Sequence, residues 1–346
     1  MQTNFTFKKT LTLPPCDLDE HWPELEDDGE LILEVGEYWM SGLKTPRRFR
    51  AQFNGATIKL MPSARNPARM FTDDGQWSNL FILEGPGILD GNWETVYKSA
   101  KRGRGNFKVE PVALQTTKGF VSDITVRNFG SDGGAYAEGL EAFPLSLNTY
   151  SSGPPFQYDA ALAYLREDSN DWSELRIERC EVKDGHFIDG GYCTAIFART
   201  NFPSQGDRQP YGVRTTNAAT IRDCRVQGLA GIAYGSAISE NLLFENNTAI
   251  RCKCGVNIDT GEIRNVRFIG NRFLGCNQGM NLTPYPQSRD IVIKGNAITL
   301  TAPFFNPVTR KTEDFYYINA PRLGLNEAKL REENHFASEY DPASPR

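Results

Sequence analysis

Residues 266–273, VRFIGNRF, alternate apolar and polar side chains, place an Asn after the third apolar-to-polar change, and close on another apolar residue. The same pattern, with Cys or Asn at the sixth position, recurs as LRIERCEV at 175–182, ATIRDCRV at 219–226, LLFENNTA at 242–249 and IVIKGNAI at 291–298. Alternation with period two, in a stretch too short for a helix, predicts a β-strand. Repetition of such a unit predicts a solenoid.

The Cys or Asn position fixes the length of the repeat. It is occupied by Cys180, Cys224, Asn247, Asn271 and Asn296, at steps of 44, 23, 24 and 25 residues. Three nearly equal steps predict one turn of a parallel β-helix per step, and the wide step predicts a long excursion. Stacked turns repeat the same position one strand spacing apart, so we expect the three asparagines to form a ladder of side-chain amides. The two cysteines continue that column as small buried thiols.

A second repeat predicts an outward polar surface. Three glycines recur at 24-residue steps and each opens an alternating stretch, GIAYG at 231–235, GVNID at 255–259 and GMNLT at 279–283. Alternation places Ala233, Asn257 and Asn281 on the outer side of the solenoid. We expect these positions to lie in one column on successive coils.

Composition excludes several classes of protein. The chain has 346 residues, 39% of them hydrophobic and 23% charged, and a formal net charge of -5. These values exclude a short disulfide-stapled peptide and a largely disordered chain, and the acidic balance argues against nucleic-acid binding. No apolar stretch reaches the roughly 20 residues that cross a bilayer, which predicts no membrane partner. No signal peptide is visible, so the compartment stays open between a trimmed secreted protein, a virion-associated protein and a cytoplasmic one.

The boundaries of the repeat divide the chain into three parts. We predict an N-terminal cap segment at 1–28, the parallel β-helix at 29–300, and a C-terminal cap and tail at 301–346. Long excursions are predicted at 93–118, 130–172 and 189–217. The stretch LNEAKLREENHF at 325–336 is typical of a short helix that covers the last coil. Seven cysteines cannot all pair within one chain, and their spacing favours stacking over disulfides or a metal site.

The repeats resemble the right-handed parallel β-helix superfamily, often called pectate-lyase-like. GELILEVGEYWMSG at 29–42 and FNGATIKL at 53–60 resemble its first coils, and ILEGPGILDGNW at 82–93 is similar to a segment near the start of polygalacturonase-type glycosidases. The resemblance implies an all-β, right-handed parallel β-helix with loop excursions. Because this fold hosts lyases, hydrolases, epimerases, esterases and non-catalytic spikes, it leaves the activity open. The NTD, GHG and RIK segments of polygalacturonases are absent, so no catalytic residue is transferred.

The densest group of chemically active residues is KDGHFID at 183–189. His186 stands between Asp184 and Asp189, an arrangement in which one carboxylate orients the imidazole and the other serves as acid or base. The alternative interpretation, a turn at Asp184 and a histidine that only contacts a neighbouring coil, is equally open. Asp259, in NIDTG, completes the predicted catalytic set.

A larger set is predicted to bind substrate. Acids interleaved with tyrosines suit carbohydrate, because tyrosine rings stack on sugar faces and carboxylates accept hydroxyl hydrogen bonds. Arginine suits the neutralisation of a uronate. We expect Asp189, Asn257 and Asn281 to fall near one column and to form a sugar-binding strip. The predicted substrate-binding residues are Tyr136, Glu138, Glu141, Arg214, Asn257, Asn281 and Tyr285.

Two function classes follow from these residues. The first is a polysaccharide-active enzyme, a glycoside hydrolase or a polysaccharide lyase, that holds a polysaccharide or oligosaccharide in a groove along the β-helix. The second is a non-catalytic glycan-binding β-helix or a phage or surface appendage. A monomer is expected for the enzyme and a homotrimer for the appendage. No cofactor or metal is predicted, and calcium stays open because no motif indicates it.

Overall fold

The alternating stretches form strands that stack in parallel, each coil of the chain lying on the one before it. This arrangement is seen in a computed structural model that describes residues 5–25, 27–62, 66–72, 78–100, 107–133, 141–148, 172–199, 216–237, 239–258, 261–302, 305–306, 311–312 and 316–338. The inward apolar residues of the repeat are buried in one continuous core. The predicted solenoid is therefore confirmed.

The described elements are as follows in chain order. The first third holds β1 (Lys9–Leu13), β2 (Asp28–Leu33), β3 (Glu37–Met40), β4 (Leu43–Lys44), β5 (Arg48–Gln52), β6 (Thr57–Leu60), β7 (Phe71–Thr72), β8 (Ser78–Asp90), β9 (Phe107–Val109) and β10 (Val112–Arg127). The middle holds β11 (Phe129–Asp132), β12 (Glu141–Ala142), β13 (Leu145–Asn148), β14 (Trp172–Glu178), β15 (Glu181–Val182), β16 (Gly185–Ile188), β17 (Tyr192–Arg199), β18 (Thr216–Arg222), β19 (Arg225–Gln227), β20 (Ile232–Gly235) and β21 (Ser239–Glu245). The last part holds β22 (Thr248–Ile250), β23 (Cys254–Ile258), β24 (Ile263–Ile269), β25 (Arg272–Cys276), β26 (Gln278–Leu282), β27 (Arg289–Lys294), β28 (Ala297–Leu300), β29 (Phe305–Asn306), β30 (Lys311–Thr312), β31 (Ile318–Asn319) and β32 (His335–Ser338). The helices are α1 (Leu18–His21), a 3-10 turn (Trp22–Leu25), α2 (Trp93–Ala100) and α3 (Glu327–Glu333).

The strands fall on three faces of the solenoid, and each coil visits them in the same order. Face 1 contains β1, β2, β5, the first half of β8, the middle of β10, β14, β18, β21, β24 and β27. Face 2 contains β3, β6, the ends of β8 and β10, β15, β19, β22, β25, β28 and β32. Face 3 contains β4, β7, the start of β10, β13, β17, β20, β23, β26 and β31.

A buried amide ladder occupies the corner between faces 1 and 2. Asn247 Nδ2 donates to Asn271 Oδ1 at 3.0 Å, and Asn271 Nδ2 donates to Asn296 Oδ1 at 2.9 Å. Asn334 extends the ladder by one coil, since Asn296 Nδ2 donates to its Oδ1 at 2.9 Å. Cys224 joins from the other side, where its backbone N–H donates to Asn247 Oδ1 at 3.0 Å. The predicted ladder is confirmed and is longer than the 23–25-residue period indicated.

The residue before each ladder position makes the turn. Asp223, Asn246, Gly270 and Gly295 have φ of 54°, 54°, 65° and 69°. Glycine adopts this left-handed conformation without steric cost and Asn or Asp tolerates it. The small residues of the motif therefore let the chain turn sharply while the next side chain points into the core.

The cysteines are structural in their surroundings. All seven are free thiols and every one except Cys16 is buried. Burial raises the pKa of Cys193 and Cys224 well above the usual value and raises that of Cys254 to about 12. Thiols that stay protonated are poor nucleophiles and poor metal ligands. Cys252 and Cys276 stack by a thiol hydrogen bond, as the 24-residue spacing predicted.

The coils extend past both ends of the predicted β-helix. Lys9–Leu13 already pairs in parallel with β2, in the register Lys9 to Gly29, so face 1 begins inside the predicted cap segment. At the other end β32 pairs with β28. Between β31 and β32 the chain forms α3 in place of a face 1 strand, and Gly295 N donates to Glu333 O at 2.8 Å. The predicted helix thus covers the last face 1 strand.

The glycine repeat is wrong as a register on face 3. Ile232 pairs with Cys254, 22 residues later, whereas Ser239 pairs with Ile263, 24 residues later. The corner between β20 and β21 is two residues shorter than the next one, so Gly235, and not Ala233, lies beside Asn257. Equal spacing in sequence did not mean equal position on this face.

The predicted excursions also contain regular strands. β13 lies inside 130–172 and β17 inside 189–217, and both pair on face 3. Their inward residues Leu145, Leu147, Ile196 and Ala198 are buried. The described part of the excursions instead builds a small side sheet of β9, β11 and β16 at the corner between faces 2 and 3.

Candidate functional site

Face 3 carries one continuous outward column of side chains, which we name the outer column. Its register pairs run from Phe197 to Gly235, then to Asn257, Asn281 and Asn319. The inward neighbours in the same strands, Ile196, Tyr234, Val256 and Met280, are fully buried. Since successive residues of a strand point to opposite sides, the outer column faces away from the core. Asn257 and Asn281 therefore lie on the outer side, as predicted.

The three asparagines of the outer column are joined by their amides. Asn281 Nδ2 donates to Asn257 Oδ1 at 2.7 Å, and Asn319 Nδ2 donates to Asn281 Oδ1 at 2.9 Å. A primary amide has two N–H donors and two acceptor lone pairs, and the ladder takes one of each from Asn281. One donor and one acceptor of Asn281 therefore stay available to a ligand on this half-buried surface.

An aromatic pair ends the outer column. The Phe143 and Phe197 rings meet edge to face, with centroids 5.2 Å apart and planes at 70°. Gly235 leaves room beside them, because a Cβ there would lie 2.5 Å from Thr194 Cγ2 and 3.2 Å from Phe197 Cδ2. The column thus joins a half-buried apolar ring to a row of amides, a combination that suits a ligand with both apolar faces and hydroxyl groups.

Glu141 lies beside this aromatic end. Thr194 Oγ1 donates to its Oε1, and Tyr192 Oη donates to its Oε2 at 3.4 Å. Thr194 is the residue whose methyl group lies against Gly235, so the carboxylate is one side chain away from the outer column. Glu141 is half-buried and was predicted to bind substrate. It is the predicted carboxylate that the described structure brings to face 3.

A buried ion-pair cluster supports the Glu141 segment. Glu110 is fully buried and receives Arg69 Nε at 3.0 Å and Arg69 Nη2 at 2.8 Å. Lys108 Nζ lies 3.2 Å from Glu110 Oε1 and donates to Glu141 O at 3.2 Å. Phe143 N also donates to Glu110 Oε1, at 3.0 Å. The cluster fixes the backbone on both sides of the Glu141 carboxylate.

His186 lies in the side sheet, away from the outer column. It pairs with Gly130 across β16 and β11, and its ring is parallel to that of Trp93, with centroids 6.2 Å apart and planes at 3°. Trp93 stacks in turn on Tyr97 at 4.8 Å, and the buried Asp132 carboxylate accepts a hydrogen bond from Tyr97 Oη. The histidine therefore belongs to an aromatic stack, which favours its structural interpretation.

The two aspartates that flank His186 hold turn positions. Asp184 has φ of 55° and Asp189 has φ of 46°, and both side chains are exposed. Within the described part of the chain, neither carboxylate hydrogen-bonds the imidazole. The expected column of Asp189, Asn257 and Asn281 is wrong, because β16 leaves face 3 for the side sheet and Phe197 holds that position.

The remaining predicted residues divide between exposed and undescribed positions. Tyr285 is 46% exposed, three residues beyond the end of β26, and its N–H donates to Gly261 O at 2.8 Å. It lies at the corner where face 3 leads into face 1. Tyr136, Glu138, Arg214 and Asp259 lie outside the described residues.

Sequence reasoning missed four residues of this surface, Phe143, Thr194, Phe197 and Asn319. Phe197 and Thr194 fall inside a predicted excursion, and Asn319 follows Asn281 by 38 residues instead of 24. The alternation of Cys193 to Arg199 was the available signal for β17. For Asn319 the signal was the short stretch YINA after an insertion.

Searches for two other kinds of site gave no candidate. In the ranges described above, no helix is long and apolar enough to cross a membrane. Nor do three His, Cys, Asp or Glu side chains of those ranges gather closely enough to hold a metal ion.

Comparison with known proteins supports the fold and leaves the activity open. The family model described as a right handed beta helix region matches residues 156–298. Together with the parallel pairing on three faces, this match makes the solenoid a right-handed parallel β-helix, as the sequence predicted. No curated protein and no solved structure matches the chain. A β-helix of this kind is compatible with a polysaccharide-active enzyme and with a non-catalytic binder.

Proposed function

We propose that the protein binds a polysaccharide along the outer column of face 3. The observation that carries this proposal is the in-register row of Phe197, Asn257, Asn281 and Asn319, in which an aromatic ring is followed by amides that retain free hydrogen-bonding capacity. Sugars present apolar ring faces and hydroxyl groups in alternation along a chain. The column offers a partner for each of these in the same order.

The dimensions of the outer column favour a polymer over a single sugar. It crosses five strands, from β17 to β31. Neighbouring strands lie about 4.8 Å apart, so the column is roughly 19 Å long. A single monosaccharide covers only part of that length, whereas an extended oligosaccharide contacts the whole row. The amide bonds between coils also hold the row rigid, which lowers the entropic cost of binding.

Binding is tested with a panel of acidic and neutral polysaccharides and the substitution Asn281→Ala. We expect the affinity for the bound glycan to fall about tenfold, because the change removes the central amide and releases its ladder bonds to Asn257 and Asn319. The measurement is isothermal titration with an oligosaccharide prepared from the polysaccharide that binds.

The matched control is Asn265→Gly. Asn265 also donates across one coil, to Asn241 Oδ1 at 2.7 Å, but on an exposed part of face 1, and glycine keeps its φ of 49°. Affinity should be unchanged in this variant. Equal affinity of wild-type protein and Asn281→Ala would exclude the outer column as the binding surface.

Catalysis on the bound chain is a second candidate, favoured by Glu141. Its carboxylate is half-buried, is positioned by Thr194 and Tyr192, and stands beside the aromatic end of the outer column. A carboxyl group so placed can act as general acid or base in glycoside hydrolysis or β-elimination.

The substitution Glu141→Gln tests this candidate. We expect it to lower the rate of cleavage at least 100-fold while glycan affinity stays within threefold of wild type, because the amide keeps the shape and loses the proton transfer. Reducing ends and absorbance near 235 nm are followed together, so that hydrolysis and elimination are distinguished. A glycan that binds the outer column but is never cleaved by the wild type would assign the protein to the non-catalytic class.

A further inference from the structure

A pocket lies at the C-terminal end of the outer column. Its volume is about 410 Å³, and Asn319, the last residue of the column, forms part of its wall. The other walls come from the last coil, namely from the segment around β31, from α3 and from β32. The column and the pocket are therefore one continuous surface.

Aromatic and apolar side chains line the inner part of the pocket. Tyr317 and Phe336 pack with ring centroids 5.0 Å apart and planes at 34°, and Leu330 of α3 lies beside them. All three are half-buried, although the coil has no further strand stacked on it within the described residues. The exposed ring surface suits the apolar face of a flat or chair-shaped ring.

Polar groups stand at the rim. Glu327 and Arg331 form an ion pair across one turn of α3, with Arg331 Nη2 at 2.8 Å from Glu327 Oε1. Asn319 gives its Nδ2 hydrogen to Asn281, which makes its own Oδ1 the acceptor end of the outer amide row. Hydroxyl groups of a ligand thus meet one carboxylate, one guanidinium and one amide oxygen around an apolar floor.

We infer that this pocket receives the terminal sugar residue of the glycan that lies along the outer column. The inference rests on the proposed function and adds to it that the protein recognises a chain end. The terminal ring stacks on Tyr317 and Phe336, and its hydroxyl groups bond to Asn319 and Arg331. A chain held in this way has a fixed direction, and its remaining residues extend over Asn281 and Asn257 towards Phe197.

The test fills the pocket and leaves the column intact. Leu330→Trp places an indole in the pocket, and Lys329→Trp places the same ring on a neighbouring, 67%-exposed position of α3 as the matched control. The probes are oligosaccharides of three to six residues and the parent polysaccharide from the panel above. Circular dichroism confirms the fold of each variant, and Arg331→Ala serves as a second pocket variant that does not change packing.

We expect Leu330→Trp to weaken binding of the short oligosaccharides at least tenfold and to change binding of the polymer, counted per occupied site, less than threefold. Arg331→Ala should weaken the same oligosaccharides about threefold, and Lys329→Trp should match the wild type. Unchanged oligosaccharide affinity in both pocket variants overturns the inference. If Asn281→Ala still weakens binding in that case, the outer column stands without the pocket. A wild-type protein that binds nothing on the panel overturns the proposed function itself.

Discussion

Replacing Asn271 by leucine is expected to lower the free energy of unfolding by about 4 kcal/mol. Asn271 Oδ1 accepts from Asn247 N and from Asn247 Nδ2, each at 3.0 Å, while its Nδ2 donates to Phe244 O and Asn296 Oδ1, each at 2.9 Å. Leucine has a similar volume but makes none of these bonds. Because the site is fully buried, water cannot replace them, and the partners on both neighbouring coils lose a hydrogen bond.

Urea unfolding followed by circular dichroism measures this effect, with Asn281→Ala as the control. Asn281 is also an asparagine bonded to the coils before and after it, but it lies half-buried on the outer column where water reaches it. Its substitution should cost less than about 1 kcal/mol. A loss below 1 kcal/mol in Asn271→Leu would show that the inner ladder does not stabilise the coils.

Glu110→Ala should destabilise the fold by about 3 kcal/mol. The change leaves Arg69 and Lys108 without their shared carboxylate and removes the acceptor of Phe143 N. Both cations keep some solvent contact, at 29% and 24% side-chain exposure, so the cost falls at the lower end of the range for a broken buried pair. Lys108 also holds Glu141 O, so glycan affinity should fall together with stability.

The control for this prediction is Glu37→Ala. Glu37 pairs with Lys59 at 2.6 Å, but its side chain is 47% exposed, and exposed pairs contribute about 0.2–1 kcal/mol. Thermal unfolding and isothermal titration are run on both variants. A Glu110→Ala protein as stable as Glu37→Ala would mean that the cluster does not anchor the segment beside the outer column.

The repeat in sequence predicted faces 1 and 2 well because those strands are followed by a residue that the fold cannot vary freely. Position 271 must donate and accept across two coils, and position 270 must turn with positive φ. These demands recur on every coil and leave the pattern of apolar residues, glycine and asparagine visible in the sequence. The inner ladder and the strand alternation were therefore predictable residue by residue.

Face 3 was harder to predict because the corners that lead into it differ in length. A corner two residues shorter moved Gly235 into the place expected for Ala233, and the side sheet took Asp189 out of the column that Phe197 enters. An insertion separates Asn319 from Asn281 by 38 residues. Residues brought together across such corners carry no constant spacing for a sequence pattern to show.

The Glu110 cluster shows a second limit. Arg69 and Glu110 are 41 residues apart, and charged residues in loops are usually exposed. Only the packing of three coils shows that this carboxylate is buried and that its cations support the Glu141 segment. The chemistry of a pair was predictable at KDGHFID, where sequence neighbours are close, but the structure directs those side chains to turns and an aromatic stack.

The central claim is that a polysaccharide binds along the outer column, and a crystal structure of the protein with the longest oligosaccharide that binds it tests this most directly. The account predicts sugar rings over Phe197 and along Asn257 and Asn281, with at least one hydroxyl group within hydrogen-bond distance of the Asn281 amide. A glycan bound at the side sheet around His186, or on face 1 or face 2, with the outer column bare, would contradict it.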